Sequence, residues 1–400
     1  MTGLKLFVFT LLWMLSCHNR PAAPAPVQAQ TPALQCGAER TELYFPLLKA
    51  KRIGIIANQS SRLGSKHLLD TLLAAGMDVR RIFSPEHGFR GTADAGAKIE
   101  DGRDPRTGLP VISLYGKNRK PTPDQLHDLD VMIFDIQDVG ARFYTYISTL
   151  HYVMEACAEQ HIPLIILDRP NPNGHYVDGP VLDTAFRSFV GMHPVPIVHG
   201  MTIGEYGRMI NGEGWLKNGI RADLTVIPCA GYNHQTRYVL PIKPSPNLPN
   251  ERSILLYPSL CLFEGTCISV GRGTNSQFQV IGHPDWPQGD TVFTPVPNPG
   301  ARHPKLEGQT CRGISFRRLT PDSLRSRPGL HIEWLVRAYR QFPDKAHFFL
   351  KTNHFDRLAG TDQLRKQIIE GKSAQEIKDS WQPALQRFRA TRQQYLLYHP

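Results

Sequence analysis

The sequence predicts an α/β fold: a mostly parallel sheet with helices on both faces, followed by a smaller C-terminal α+β domain. Two observations carry this. Between residues 52 and 174, near-continuous apolar runs alternate with amphipathic segments, and such runs belong to strands buried on both faces. From about residue 245 the texture changes to turn clusters, short apolar stretches and then helices.

Each element follows from its own pattern. RIGIIANQS (52–60) is an apolar strand that ends in polar residues. KHLLDTLLAAGM (66–77) sets Leu68, Leu69, Leu72 and Leu73 on one helical face before a glycine stop. DVRRIF (78–83) is the next strand and stops at Ser84-Pro85. PVISLYG (110–116) is a further strand, and Thr122-Pro123 opens a short helix. DVMIFDIQD (130–138) is a strand, 144–160 an amphipathic helix, and HIPLIILDRPNPNG (161–174) an apolar strand entering a Pro/Asn/Gly loop. PSPNLPN marks the boundary, and GISFRRL (313–319) is a strand of the second domain, with helices from 330 onward.

The 400 residues and 41% hydrophobic content are ample for a sizeable core and suggest two domains. The N-terminus reads as a targeting segment. LFVFTLLWML (6–15) is too short to span a bilayer as a helix. Ser16-Cys17 follows at once and is a loose match to a lipoprotein signal, with Cys17 as the lipidated residue. Cleavage after Val27-Gln28-Ala29 is the rival reading, and both imply export. The divisions expected are a signal segment at 1–17, a Pro/Ala-rich tether at 18–40, a catalytic domain at 41–247 and the α+β domain at 248–400. The protein is thus expected to be a membrane-anchored lipoprotein facing the periplasm, or otherwise soluble there.

The seven cysteines show neither CxxC nor zinc-ligand spacing. No dinucleotide, phosphate-loop, metalloprotease or nucleophile-elbow motif is present, so no cofactor or metal is expected. The net charge of +11 is scattered, without a basic run or basic–aromatic patch. Nucleic acid is therefore not an expected partner, and an anionic envelope polymer is.

Four apolar runs end in polar groups: Asn58-Gln59, Ser84 to His87, Asp135 to Asp138, and Asp168 to Asn171. Ligands of open α/β sheets bind beyond the carboxyl ends of the strands. Glu86, Asp138 and Asp168 are thus candidate catalytic carboxylates, with helix capping as the plainer reading of each. Glu86, flanked by Phe83 and Phe89, suits a proton donor to a glycosidic oxygen. Arg90, Arg142 and Arg169 suit a substrate carboxylate, while His87, His193 and His199 are candidate ligands, with a hydrogen-bonded structural role as the plainer reading of each. The residues alone reach an exported carbohydrate-active or acid-binding protein.

Several strings then add a resemblance: SPEHGFRG (84–91), DIQDVGARFYTYISTL (135–150), LDRPNPNG (167–174), HGMTIGE (199–205), PSPNLP (244–249), YPSLCLFEGTCISVGRGT (257–274) and FDRLAGTDQLRKQI (355–368). In this order, from about residue 50 to the end, the chain resembles the exo-acting β-N-acetylmuramidase family. The resemblance implies a Rossmann-like domain and a smaller C-terminal domain with the site in the cleft between them. It implies removal of non-reducing terminal N-acetylmuramic acid from peptidoglycan fragments. The family's catalytic glutamate lies in SPEHG, which is Glu86 here. Asp138, Asp168 and Glu264 are the candidates for a second group. His87, Arg90, Gln137, Arg142, Tyr144, Arg169, Asn171, Asn247, Glu264 and Arg272 are expected to line the cleft. One departure is the absence of the proline expected before Phe278. A non-catalytic envelope protein that binds wall fragments is the alternative, and an amidase, which needs a metal or nucleophile, is a third reading.

Overall fold

The computed structural model describes residues 33–398 apart from 87, 90–101 and 117, together with Thr2. Cys17 lies outside the described residues. Seven strands form one sheet: β1 (Arg52–Ala57), β2 (Asp78–Ser84), β3 (Gly102–Arg103), β4 (Pro110–Ser113), β5 (Val131–Asp135), β6 (Leu164–Leu167) and β7 (Leu224–Ile227). Their order across the sheet is β3-β4-β2-β1-β5-β6-β7. Every pairing is parallel except β3 with β4. The chain winds one way from β1 to β2 and β4, then crosses to β5 and winds the other way. The point where it reverses lies between β1 and β5, where Ile55 pairs with Ile133 and Ala57 with Asp135.

The alternation of side chains along each strand divides the sheet into two apolar faces. Ile53, Ile55, Ile133, Ile165 and Leu167 point to the face covered by α1 (Thr41–Leu48) and α2 (Leu68–Ala74), where they meet Tyr44, Leu48, Leu69 and Leu72. Ile56, Met132, Phe134 and Ile166 point to the other face. The short α3 (Pro123–Leu126) follows β4, and on this face α4 (Tyr146–Glu159) and α5 (Ile203–Gly212) supply Ile147, Leu150, Met154 and Tyr206. Burial on both faces explains why these strands read as unbroken apolar runs.

Strands and helices are shorter than the sequence patterns suggest. β1 stops at Ala57 because Asn58 turns its side chain into local bonds. Its Oδ1 accepts from the Ser60 amide at 2.9 Å and from Ser60 Oγ at 2.6 Å. α2 begins at Leu68, not Lys66. Residues 62–67 make a two-stranded ribbon turned by Gly64 at φ 55°, and His67 Nδ1 caps the helix by accepting from the Leu69 amide at 3.1 Å.

The C-terminal half carries a three-stranded antiparallel sheet of β8 (Val280–His283), β9 (Thr291–Phe293) and β10 (Cys311–Ser315), with β10 in the middle. Helices follow, the longest being Ala374–Gln393. The larger core cluster is continuous across residues 247 and 248. It joins Phe134 and Leu150 to Leu256, Phe263, Phe278, Phe348, Phe355 and Leu385. The helix Glu251–Leu260 enters it behind an Asn250 cap, whose side chain accepts from the Ser253 amide at 2.9 Å.

Candidate active site

The connections leaving the carboxyl ends of β1, β2 and β5 converge beside the point where strand order reverses. The loop at 243–248 is held over them. Gln59 Nε2 donates to the Lys243 and Pro244 carbonyls at 3.2 Å each, and Tyr144 Oη donates to the Pro244 carbonyl at 2.8 Å. Tyr146, at the start of α4, accepts from Asn58 Nδ2 at 3.0 Å. These bonds frame an open pocket with about 420 Å³ of empty space, lined by Glu86, Phe143, Tyr144, Thr145, Tyr146, Ser245, Asn247, Leu248, Tyr257, Arg272 and Phe278.

Glu86 is the acid of this pocket. It follows β2 by two residues, and Thr145 Oγ1 donates to its Oε2 at 3.3 Å. Tyr115, beyond β4, lies close to the same carboxyl. Burial, and then the nearby Glu86 charge, push the Tyr115 phenol above its ordinary value.

Aromatic rings form the opposing wall. Tyr144 stands edge-on to Tyr146 at 4.9 Å between centroids and to Tyr257 at 5.9 Å, and Tyr257 meets Phe278 at 5.0 Å. Arg272 lies over Phe278 at 5.1 Å and is gripped by Glu264. Its Nε donates to Oε1 at 2.6 Å and its Nη2 to Oε2 at 3.1 Å. Nη1 has no hydrogen-bond partner among the described residues. Burial works to raise the Glu264 pKa, but the Arg272 guanidinium outweighs it and holds the carboxyl below its ordinary value. Asn247 Nδ2 donates to the Gly300 carbonyl at 2.7 Å, which leaves Oδ1 as a buried acceptor without a partner among the described residues.

Of the residues expected in the cleft, Glu86, Tyr144, Asn247 and Arg272 meet at this pocket, with Glu264 behind Arg272. His87 and Arg90 lie outside the described residues. The others are held by bonds inside the fold. Arg142 is fully buried and donates to four carbonyls, those of Pro180, Val195, Leu358 and Ala359, at 2.6–3.0 Å. Arg169 forms a two-point pair with Asp135 at 2.6 and 2.9 Å, tying the end of β6 to the end of β5. Asn171 accepts from the Asn173 amide at 2.8 Å and donates to the Met201 carbonyl. Its carboxamide packs where a side chain on Gly140 would clash, at 2.2 Å from an added Cβ, so Gly140 is required at φ 76°. Gln137 Nε2 donates to the Asp138 and Pro170 carbonyls at 2.8 Å each.

Neither candidate aspartate lines this pocket. Asp168 accepts from Thr202 Oγ1 at 2.7 Å, the Gly204 amide at 2.8 Å and Tyr398 Oη at 2.6 Å. It anchors the start of α5 to the sheet, so the capping reading describes it. Burial raises its pKa to about 6, with Glu205 adding to the rise and those three bonds opposing it. Asp138 accepts from the Gly140 amide at 2.6 Å and faces His199 Nε2 at 3.9 Å, while its Oδ1 has no partner among the described residues. Burial raises its pKa to about 7 and lowers that of His199 to about 3.

Sequence reasoning did not single out Thr145, Tyr146, Ser245, Tyr257 or Phe278. The first four sit inside the quoted strings, and that membership was the available signal. Tyr115 carried none.

A strand-end acid in a pocket with aromatic walls and a tethered arginine is the arrangement of a glycoside hydrolase, and this chain is one. Residues 53–252 match the N-terminal domain, and 255–398 the C-terminal domain, of the exo-β-N-acetylmuramidase NamZ family. The chain belongs to that family. It is 39% identical over 391 residues to the peptidoglycan β-N-acetylmuramidase NamZ of Bacillus subtilis strain 168, covering 92% of each protein. Two crystal structures of DUF1343 family proteins from Bacteroides fragilis share the fold. One matches with a TM-score of 0.86 at 48% identity, the other with 0.77 at 28%, and each match covers 92% of this chain and 99% of the other.

Proposed function

We propose that this enzyme hydrolyses the glycosidic bond of non-reducing terminal N-acetylmuramic acid in peptidoglycan fragments, with Glu86 as the catalytic acid/base. The observation that carries this reading is Glu86 itself, which is the acid lining the pocket among the described residues. Its carboxylic acid gives a proton to the glycosidic oxygen as the C1–O bond breaks, the oxygen of a water bonds to C1, and the proton that this water releases restores the carboxylic acid, so one water is consumed and two hydroxyls are formed. Tyr115 and Thr145 orient the carboxyl.

The rest of the pocket suits the muramic acid ring. Tyr144, Tyr257 and Phe278 offer apolar surface to a sugar face. Asn247 Oδ1 is an acceptor for the acetamido N–H. The open Nη1 edge of Arg272 is a donor for the lactyl carboxylate, a charge-assisted contact that an unlactylated amino sugar cannot make. We also propose that the protein acts outside the cytoplasm, held to a membrane by lipid on Cys17.

The test is release of a chromophore from a β-N-acetylmuramic acid glycoside by the wild type and by Glu86→Gln. Turnover by the wild type and its loss in a folded variant is the expected result. A folded wild type that binds muramic acid saccharides without turnover overturns the proposal.

A further inference from the structure

Lys305 lies in the connection between β9 and β10, forty residues beyond the turn it serves. Its ammonium reaches into the turn at 263–268, within 3.3 Å of the Phe263 carbonyl, 3.2 Å of Glu264, 2.5 Å of Thr266 and 3.2 Å of Ile268. Two of those oxygens, of Phe263 and Glu264, belong to a short helical turn, Cys261–Gly265, and the other two to the chain that leaves its carboxyl end, where a cation is favoured. The same turn carries Glu264, and Glu264 holds Arg272 against the pocket.

Charge then has to be counted over the whole group. Glu264 and Arg272 together are neutral. A neutral pair with one open guanidinium edge is a weak attractor for a carboxylate. Lys305 adds one positive charge behind the pair, and a partly buried charge is poorly screened. Burial lowers the Lys305 pKa to about 8, so the ammonium is still mostly charged near neutrality. Burial raises the thiols of Cys261 and Cys267 and lowers His354, so all three are uncharged near neutrality.

We infer that Lys305 is a specificity-determining positioning residue: it fixes the Glu264 turn and supplies the excess positive charge through which Arg272 recognises a carboxylate-bearing sugar. Lys305 does not touch the sugar. The inference rests on the proposed substrate class and adds the origin of its charge selectivity.

The experiment is calorimetric binding of N-acetylmuramic acid and of its uncharged lactyl amide to the wild type and to Lys305→Met, Lys305→Gln and Lys305→Arg. Lys305→Gln retains a donor for the carbonyls and covers the case in which Lys305→Met does not fold. Losing one partly screened unit charge is expected to weaken binding of the acid roughly tenfold. The amide should change by less than about twofold, and Lys305→Arg should restore the acid's affinity. Equal weakening of acid and amide would mean that Lys305 only supports the turn, and unchanged binding of both would remove it from recognition; either result overturns the inference. Binding is read without turnover, so failure here is separate from failure of the hydrolase reading.

Discussion

Thr145 Oγ1 lies 3.3 Å from Glu86 Oε2, joining the residue just before α4 to the acid that follows β2. The contact crosses the point where the sheet reverses its winding, and it fixes one carboxyl oxygen while the group still faces the pocket. Replacing Glu86 by Gln keeps the shape and removes the proton. kcat on a muramic acid glycoside should fall by about 10²–10⁴-fold, the usual worth of a general acid or base. Thermal unfolding should stay close to wild type. A drop under tenfold would assign the proton transfer to another group.

Arg272 makes a different kind of contact, and its loss should show in KM. Lysine cannot reproduce the two-point grip on Glu264 while also offering a free planar edge. Arg272→Lys should raise KM for a muramic acid glycoside by at least about tenfold, the size of one lost charge-assisted hydrogen bond. A matched measurement with the lactyl amide should show a smaller rise. Equal rises would place Arg272 in the framework of the pocket and not in lactyl recognition.

Arg142 tests the opposite case. Its guanidinium is buried against four carbonyls, and burial lowers its pKa to about 9. Arg142→Met strands those acceptors, each worth about 1–3 kcal/mol when left unsatisfied. Chemical denaturation should show a loss of at least about 3 kcal/mol. Any surviving folded protein should bind the acid and the amide in the wild-type ratio. A changed ratio with intact stability would return Arg142 to the substrate.

These three residues show what was legible in the sequence. The parallel sheet could be read because strands buried on both faces leave unbroken apolar runs. Glu86 could be read because it ends one of them. Asp168, Arg169 and Asp138 end runs in the same way, and a one-dimensional pattern cannot say which strand-end side chain faces the crevice and which pairs with its neighbour. Arg169 is consumed by Asp135, and Asp168 by Thr202 and Tyr398. Lys305 left no trace, since its partners are about forty residues away and are backbone oxygens, which carry no sequence identity.

Export rests on the N-terminal reading alone, so it needs its own test. Cys17→Ala should move the protein from the membrane fraction to the soluble fraction of cells that express the full chain. Labelled fatty acid should be incorporated by the wild type and not by the variant. Membrane association that survives the substitution would rule out Cys17 as the anchor.

Asp138 makes stability depend on pH. Its folded pKa, about 7, is above the ordinary carboxylate value of 3.8 because the carboxyl is buried. The native state therefore holds a proton that the unfolded chain releases once pH passes 3.8. Any stabilisation tied to that proton is complete below 3.8 and is lost as pH rises to about 7. At 1.36 kcal/mol per pKa unit the loss is at most roughly 4 kcal/mol. His199 runs the other way: its folded pKa of about 3 favours the native state above 6.5, and that advantage falls away as pH drops. The two windows overlap, so the wild-type curve alone does not separate them. Asp138→Asn does, because the amide is neutral throughout and leaves His199 in place. Denaturant unfolding of both proteins from pH 4 to 8 should show the variant gaining on the wild type steadily up to about pH 7 and then running parallel to it. A difference that stays flat across that range would show that Asp138 is ionised in the folded enzyme. Its open Oδ1 would then mark a buried carboxylate held charged.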